Sequence, residues 1–283
     1  MAAMISIQNV YKVFGVNAKQ GLEMVLQSCD KRKVLEATGC SVGLTNVSLD
    51  IEEGEIFVVM GLSGSGKSTL IRHINRLIEP SAGAIKIRGK DVLKMGDAEL
   101  RKLRQTTVSM VFQSFGLLPH WNVIDNAAYG LFVSGLSKKA ARAQAMPWLE
   151  KVGLADYANK YPDELSGGMR QRVGLARALT VNAEVLLMDE AFSALDPLIR
   201  HDMQDLLLEL QRSLKKTIVF VTHDLDEAIR IGARIAILRD GELVQVGTPQ
   251  DILQRPANDY VRRFVDKRGN TEVSQPSAEV AHA

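Results

Sequence analysis

The run Gly61-Leu62-Ser63-Gly64-Ser65-Gly66-Lys67-Ser68-Thr69 has the residue types and spacing of a phosphate cradle. Its glycines let the backbone close around phosphate oxygens, and its successive N–H groups point at the anion. Lys67 is spaced to reach the β- and γ-phosphates as a point charge, and Ser68 to give a hydroxyl to Mg²⁺. An apolar, strand-like run, Ile56–Met60, precedes it and a helical pattern follows it, which is the context a P-loop requires. The expected ligands are therefore a nucleoside triphosphate and Mg²⁺.

Two acids follow another apolar run, Val185–Met188: Asp189 and Glu190. Ligands of open parallel sheets bind beyond the carboxyl ends of the strands, which puts both acids at the mouth of the site. Asp189 fits the orientation of Mg²⁺, and Glu190 fits a general base acting on the attacking water. A third run, Thr217–Thr222, ends in His223, placed to contact the γ-phosphate. About a hundred residues after the P-loop, Ser166-Gly167-Gly168 opens a helix, with Ser166 as its N-cap. That is a second anion site. Two such sites in one chain make sense if two copies meet head to tail, the Ser166 turn of one closing on the nucleotide held by the other.

The elements that must position these groups are legible in outline. Ile5–Val10, Ile56–Met60, Val108–Phe112, Val185–Met188, Ile218–Val221 and Ile235–Leu238 are short, β-rich and almost wholly apolar, as strands buried on both faces are. Helical patterns over 68–78, 168–179, 198–214 and 225–231 alternate with them, which predicts an α/β domain with a mostly parallel sheet. Residues 124–183 show helical periodicity with no convincing strand and are read as an inserted helical subdomain. The polar stretch after Arg268 is read as a disordered tail, so that one domain spans 1–268.

The 283 residues are 46% hydrophobic and 24% charged, an ordinary globular balance, and the net charge of +2 demands no nucleic-acid partner. Short basic clusters such as Lys31-Arg32-Lys33 read as solvated surface. Cys29 and Cys40 lack the spacing of a metal site or a disulfide framework, and a reduced compartment is expected. The first residues do not read as a signal peptide, and the apolar runs are too short to span a bilayer, so work at a membrane would need other chains as anchors.

These motifs, in this order, resemble the ABC ATPase family. Leu165-Ser166-Gly167-Gly168 is similar to the family signature, Gln113 to the glutamine that touches Mg²⁺ and the attacking water, Ser193-Ala194-Leu195-Asp196 to the turn at the dimer interface, and His223 to the switch histidine. The resemblance implies a RecA-like core, an antiparallel β subdomain and the helical insertion. It also implies an aromatic stacked on adenine, with Phe14 the first candidate and Tyr11 the second. Longer runs, including Asn75–Pro80, Tyr161–Arg172 and Met188–Arg200, together with an unusually long segment between Phe14 and Thr45, are similar to the glycine betaine/proline importer ATPases.

That resemblance implies a homodimeric, ATP-hydrolysing subunit, peripheral on the cytoplasmic face of the inner membrane, powering permease subunits fed by a solute-binding protein. Gln113–Trp121 is the segment expected to meet the permease. Familiar members of that group carry a pair of CBS domains that this sequence does not show, and some relatives lacking them import choline or amino acids such as histidine. Those substrates are the alternative reading. A soluble ABC ATPase acting on nucleic acid, or an ATP-holding regulatory module, stands further off.

Overall fold

The computed structural model describes residues 3–113 and 116–272. Among the described residues ten strands form two sheets: β1 (Ile5–Phe14), β2 (Ser41–Ile51), β3 (Ile56–Met60), β4 (Ala82–Ile87), β5 (Lys90–Asp91), β6 (Val108–Val111), β7 (Val185–Asp189), β8 (Thr217–Thr222), β9 (Arg234–Arg239) and β10 (Glu242–Gly247). The larger sheet has the order β10-β9-β3-β8-β7-β6, parallel except for β10. The smaller, β2-β1-β4-β5, is antiparallel.

The apolar strands are buried on both faces because successive side chains alternate between two cores. Val58, Met60, Leu186, Met188, Ile218 and Phe220 face a core shared with the helices Val123–Val133, Gly167–Thr180 and Pro197–Leu214. Their neighbours Phe57, Val59, Leu187, Val219 and Val221 face Leu70, Ile71 and Ile74 of the helix Lys67–Ile74 and Ile5 and Ile7 of the small sheet. The P-loop helix is thus clamped between the two sheets. Helices Val123–Val133, Lys138–Lys151 and Gly167–Thr180 fill the region read as an insertion.

Several boundaries differ from the sequence reading. The helix read to residue 78 stops at Ile74, because Asn75 leaves the helix and Arg76 takes a left-handed φ of 53°. Strands β2, β4, β5 and β10 carry mixed polar and apolar residues and lie partly exposed, so no continuous apolar run marks them. The long link after Phe14 folds as two helices, Ala18–Leu26 and Lys31–Thr38, around a small core of Val13, Val25, Val34 and Cys40. The two cysteines are free thiols. Of the residues read as a tail, 269–272 complete the helix Asp259–Glu272, and 273–283 lie outside the described residues.

His73, on the P-loop helix, is wholly buried, with the Ile78 backbone as a weak polar neighbour that raises its pKa slightly. Burial, reinforced by the Lys12 ammonium, lowers its pKa from 6.5 to about 4. The unfolded chain therefore takes up this proton near pH 6.5, while the folded chain resists until about pH 4. Stability falls as pH drops through that window, by up to about 3 kcal/mol, and has no His73 contribution above it. Urea unfolding of His73→Leu is expected to show a flatter acid limb between those limits. An unchanged slope would mean that another group carries it.

Candidate nucleotide site

The helix Lys67–Ile74 begins at Gly66, whose φ is 98° and whose position offers no side-chain cap. Side chains cap the helices starting at Val123, Lys138, Gly167 and Pro197. Here the first N–H groups are left for an anion instead. A Cβ on Gly66 would stand 2.8 Å from Leu44 Cδ2 and 2.9 Å from the Gly43 carbonyl oxygen, so only glycine fits this close approach to β2. Ser63 and Gly64 lie in the turn before it, and Thr69 in the first helical turn. Gly64, with φ 78°, has open space above its Cα. Lys67 is buried, and its ammonium donates to the carbonyls of Gly61 at 2.9 Å and Leu62 at 3.0 Å. Burial lowers the Lys67 pKa, and the Glu190 and Asp189 carboxylates oppose that shift.

Asp189 ends β7 with no solvent exposure. Its Oδ1 accepts from the Ser68 hydroxyl at 2.7 Å, and its Oδ2 from Arg72 Nε at 3.2 Å and Nη2 at 2.9 Å. Ser68 Oγ and Asp189 Oδ1 are hard oxygen donors side by side, which suits Mg²⁺. Among the described residues no group of three or more His, Cys, Asp or Glu could hold a metal alone. Mg²⁺ bound with a nucleotide needs only one or two protein oxygens beside its phosphates and waters.

Glu190 sits one residue past the strand with a φ of 48°, a left-handed conformation that a non-glycine residue keeps only where its surroundings fix it. Here the Glu190 N–H donates to the Val221 carbonyl at 3.2 Å, and its own carbonyl accepts from the Ser193 N–H, the Ser193 hydroxyl and Gln171 Nε2. The side chain reaches back over the P-loop. Its Oε2 accepts from Gln113 Nε2 at 2.8 Å, and its Oε1 is 3.9 Å from Lys67 Nζ. Lys67, Ser68, Asp189, Glu190 and Gln113, all expected from the sequence, thus converge in one cluster.

His223 is exposed and lines a small cavity with Glu190, Ser193, Thr222 and Glu227. Glu227 is buried, which raises its pKa, while hydrogen bonds from Thr222 (2.5 Å) and Gln204 (3.0 Å) pull the other way. Phe14 is 38% exposed and its ring packs over Gly43, where an added Cβ would stand 2.7 Å from Cε2. Gly43 in turn abuts Gly66. Tyr11 packs instead against the small core of the inserted helices. The adenine stack that the resemblance implies for Phe14 predicts that Phe14→Ala weakens binding of ATP and ADP alike by about tenfold, measured by fluorescence titration. Equal loss from Tyr11→Ala would reassign the stack.

Ser166 and Gly167 are not joined to this cluster. The Ser166 hydroxyl caps its own helix by accepting from the Met169 N–H at 3.3 Å, and Gly167 is open. Gly168 packs against Ala194 and Leu195, so the signature and the Ser193–Asp196 turn form one surface. Asp196, expected at the dimer interface, caps the helix Pro197–Leu214 by accepting from the Ile199 N–H at 3.0 Å. Gln171 ties that surface to the site, bridging the Glu190 carbonyl and the Ala194 N–H.

Two contributors, Arg72 and Glu227, carry no motif of their own, and Gln171 lies within the run Tyr161–Arg172 with no role read for it there. For Arg72 a signal existed, since it stands four residues after Ser68 and so on the same helix face.

Beside the edge strand β6 lies a groove of about 540 Å³, lined among others by Leu77, Arg104, Phe112, Tyr129, Val133 and Val181. Of the segment Gln113–Trp121, Gly116 and Leu118 line it, Trp121 packs edge-on against Tyr129 and Phe132, and Ser114 and Phe115 lie outside the described residues. No described helix is long and apolar enough to cross a membrane.

The chain is similar to several known proteins. The family described as ABC transporter matches residues 44–193. The glycine betaine/proline betaine transport system ATP-binding protein ProV of Escherichia coli (strain K12) is 58% identical over 264 residues, covering 93% of this chain and 66% of that protein. This chain therefore spans about two thirds of that relative's length. The trimethylamine N-oxide transport system ATP-binding protein TmoW of Pelagibacter ubique (strain HTCC1062) is 48% identical, over 93% of this chain and 77% of that protein. Among solved structures, the dimeric post-hydrolysis state of the ATP-binding cassette MJ0796 bound to ADP and Pi superposes with a TM-score of 0.76 at 33% identity, covering 87% of this chain and 99% of that one.

Proposed function

Because the chain belongs to the ABC transporter family, we propose that it is the ATP-hydrolysing subunit of an importer for glycine betaine, proline betaine or a related quaternary amine. Two copies bind two ATP and Mg²⁺ between them, and the dimer drives permease subunits from the cytoplasmic face of the membrane. The observation that carries the catalytic half is the convergence of Lys67, Ser68, Asp189, Glu190 and Gln113 at one phosphate cradle, with Ser166 capping a separate helix and facing outward. The substrate half rests on likeness to relatives named for betaine and trimethylamine N-oxide transport.

In this reading Lys67 exchanges its two carbonyl contacts for phosphate oxygens, and the first N–H groups of its helix hold the β-phosphate. Mg²⁺, when bound, neutralises charge on the phosphates from the Ser68 and Asp189 side. Gln113 occupies one oxygen of Glu190 and leaves Oε1 to take the proton of the attacking water. His223 donates to the γ-phosphate as charge develops there. Ser166, Gly167 and Gly168 of the second copy close over the same phosphate, and Asp196 supports that interface through its helix cap. Loss of the γ-phosphate removes the bridge, and the dimer opens.

The groove beside β6 is lined by apolar side chains and by Arg101, Arg104 and Arg177, which fits a helix presented by a permease. The test is co-reconstitution with the permease and solute-binding subunits in proteoliposomes. ATP-dependent uptake of labelled glycine betaine, in preference to histidine or choline, is expected. Uptake of histidine alone would overturn the substrate, and turnover with no association with any integral membrane protein would overturn the transport role.

A further inference from the structure

Arg72 lies outside the known motifs, yet its guanidinium makes a two-pronged contact with a carboxylate that has no exposure to water. With Oδ1 taken by Ser68 and Oδ2 by Arg72, both oxygens of Asp189 are satisfied. A buried carboxylate is costly without a counter-charge, and here two guanidinium N–H groups converge on one of its oxygens as charge-assisted hydrogen bonds. The Arg72 side chain is itself 36% exposed, so it supplies this charge without being fully desolvated. Its register is fixed by the helix, one turn beyond Ser68. A metal ion bound through Ser68 and Asp189 would share this carboxylate with the guanidinium, and two cations on one carboxylate repel.

We propose that Arg72 is a positioning residue with two opposed effects: it holds the Asp189 carboxylate in place in the nucleotide-free chain, and it weakens the grip on Mg²⁺ once the metal–nucleotide complex is bound. The site therefore stays built between turnovers, and Mg²⁺–ADP leaves more readily. This rests on the ATPase reading above.

The experiment measures two quantities on the full chain for wild type, Arg72→Gln, Arg72→Lys, Asp189→Asn and the double variant Arg72→Gln/Asp189→Asn. One is the thermal midpoint in EDTA without nucleotide. The other is the Mg²⁺ concentration that half-saturates binding of fluorescent ADP. Arg72→Gln is expected to melt earlier than wild type, and this loss is expected to vanish in the Asp189→Asn background. Arg72→Gln is also expected to tighten the Mg²⁺ midpoint about tenfold, while Arg72→Lys, which keeps the charge and loses the fork, melts earlier but keeps the wild-type midpoint.

A purely structural role would move Gln and Lys variants together. An unchanged or weaker Mg²⁺ midpoint in Arg72→Gln overturns the inference, as does an equal melting loss with Asp189→Asn. Should Arg72→Gln not fold, the double variant is expected to fold, having no orphaned charge, and its failure to do so also overturns the inference. Failure of wild type to bind Mg²⁺–ADP would overturn the ATPase reading itself.

Discussion

Glu190→Gln is expected to lower single-turnover phosphate release by about two to three orders of magnitude, within the range that a positioned general base contributes. The substitution keeps the shape of the side chain and the left-handed backbone, which is held by Val221, Ser193 and Gln171 rather than by the carboxylate. It removes the oxygen left free when Gln113 occupies the other, and with it the acceptor for the water's proton. ATP affinity should change little, because Glu190 approaches Lys67 only at 3.9 Å. Turnover close to wild type would move the base elsewhere, with the neighbouring His223 the next residue to test.

Lys67→Ala should act on binding rather than on the chemical step. The ammonium is buried against two P-loop carbonyls and is the positive charge in reach of a bound triphosphate. Losing two charge-assisted hydrogen bonds to phosphate, at about 1.5 kcal/mol each, corresponds to roughly a hundredfold rise in the ATP dissociation constant. Equilibrium titration with a fluorescent ATP analogue in EDTA and in Mg²⁺ measures it. A change under threefold would mean that the backbone amides hold the phosphates without Lys67.

These two residues belong to what the sequence made plain, and the reasons are physical. A phosphate cradle needs glycine at fixed spacing because side chains collide there, as a Cβ on Gly66 would with Leu44 and Gly43. Strands β3, β7 and β8 announce themselves because both faces are buried and almost no polar residue interrupts them. The strand ends then place Asp189, Glu190 and His223 without further information. The small sheet was less legible. Its strands are half exposed and bulged, with register shifts along β1 at residues 7–13, so the alternation that marks a strand is broken.

The roles of Arg72 and Gln171 were hidden for another reason. Both act through contacts more than fifteen residues away in sequence, with Asp189 and with the Glu190–Ala194 turn, and each sits inside a helix where arginine and glutamine are ordinary surface residues. The inserted helices after Phe14 were visible only as extra length. Their small core of valines and Cys40 is too short to show a period.

The nucleotide sandwich is tested most directly by the molar mass of Glu190→Gln in solution, from light scattering with and without ATP and Mg²⁺. Two copies closing on two nucleotides predict a monomer without ATP, a doubled mass with it, and loss of that doubling when Ser166 is replaced by arginine in the same chain. A mass that stays at one chain while each chain holds one ATP would contradict the sandwich and leave the P-loop as a site complete in itself.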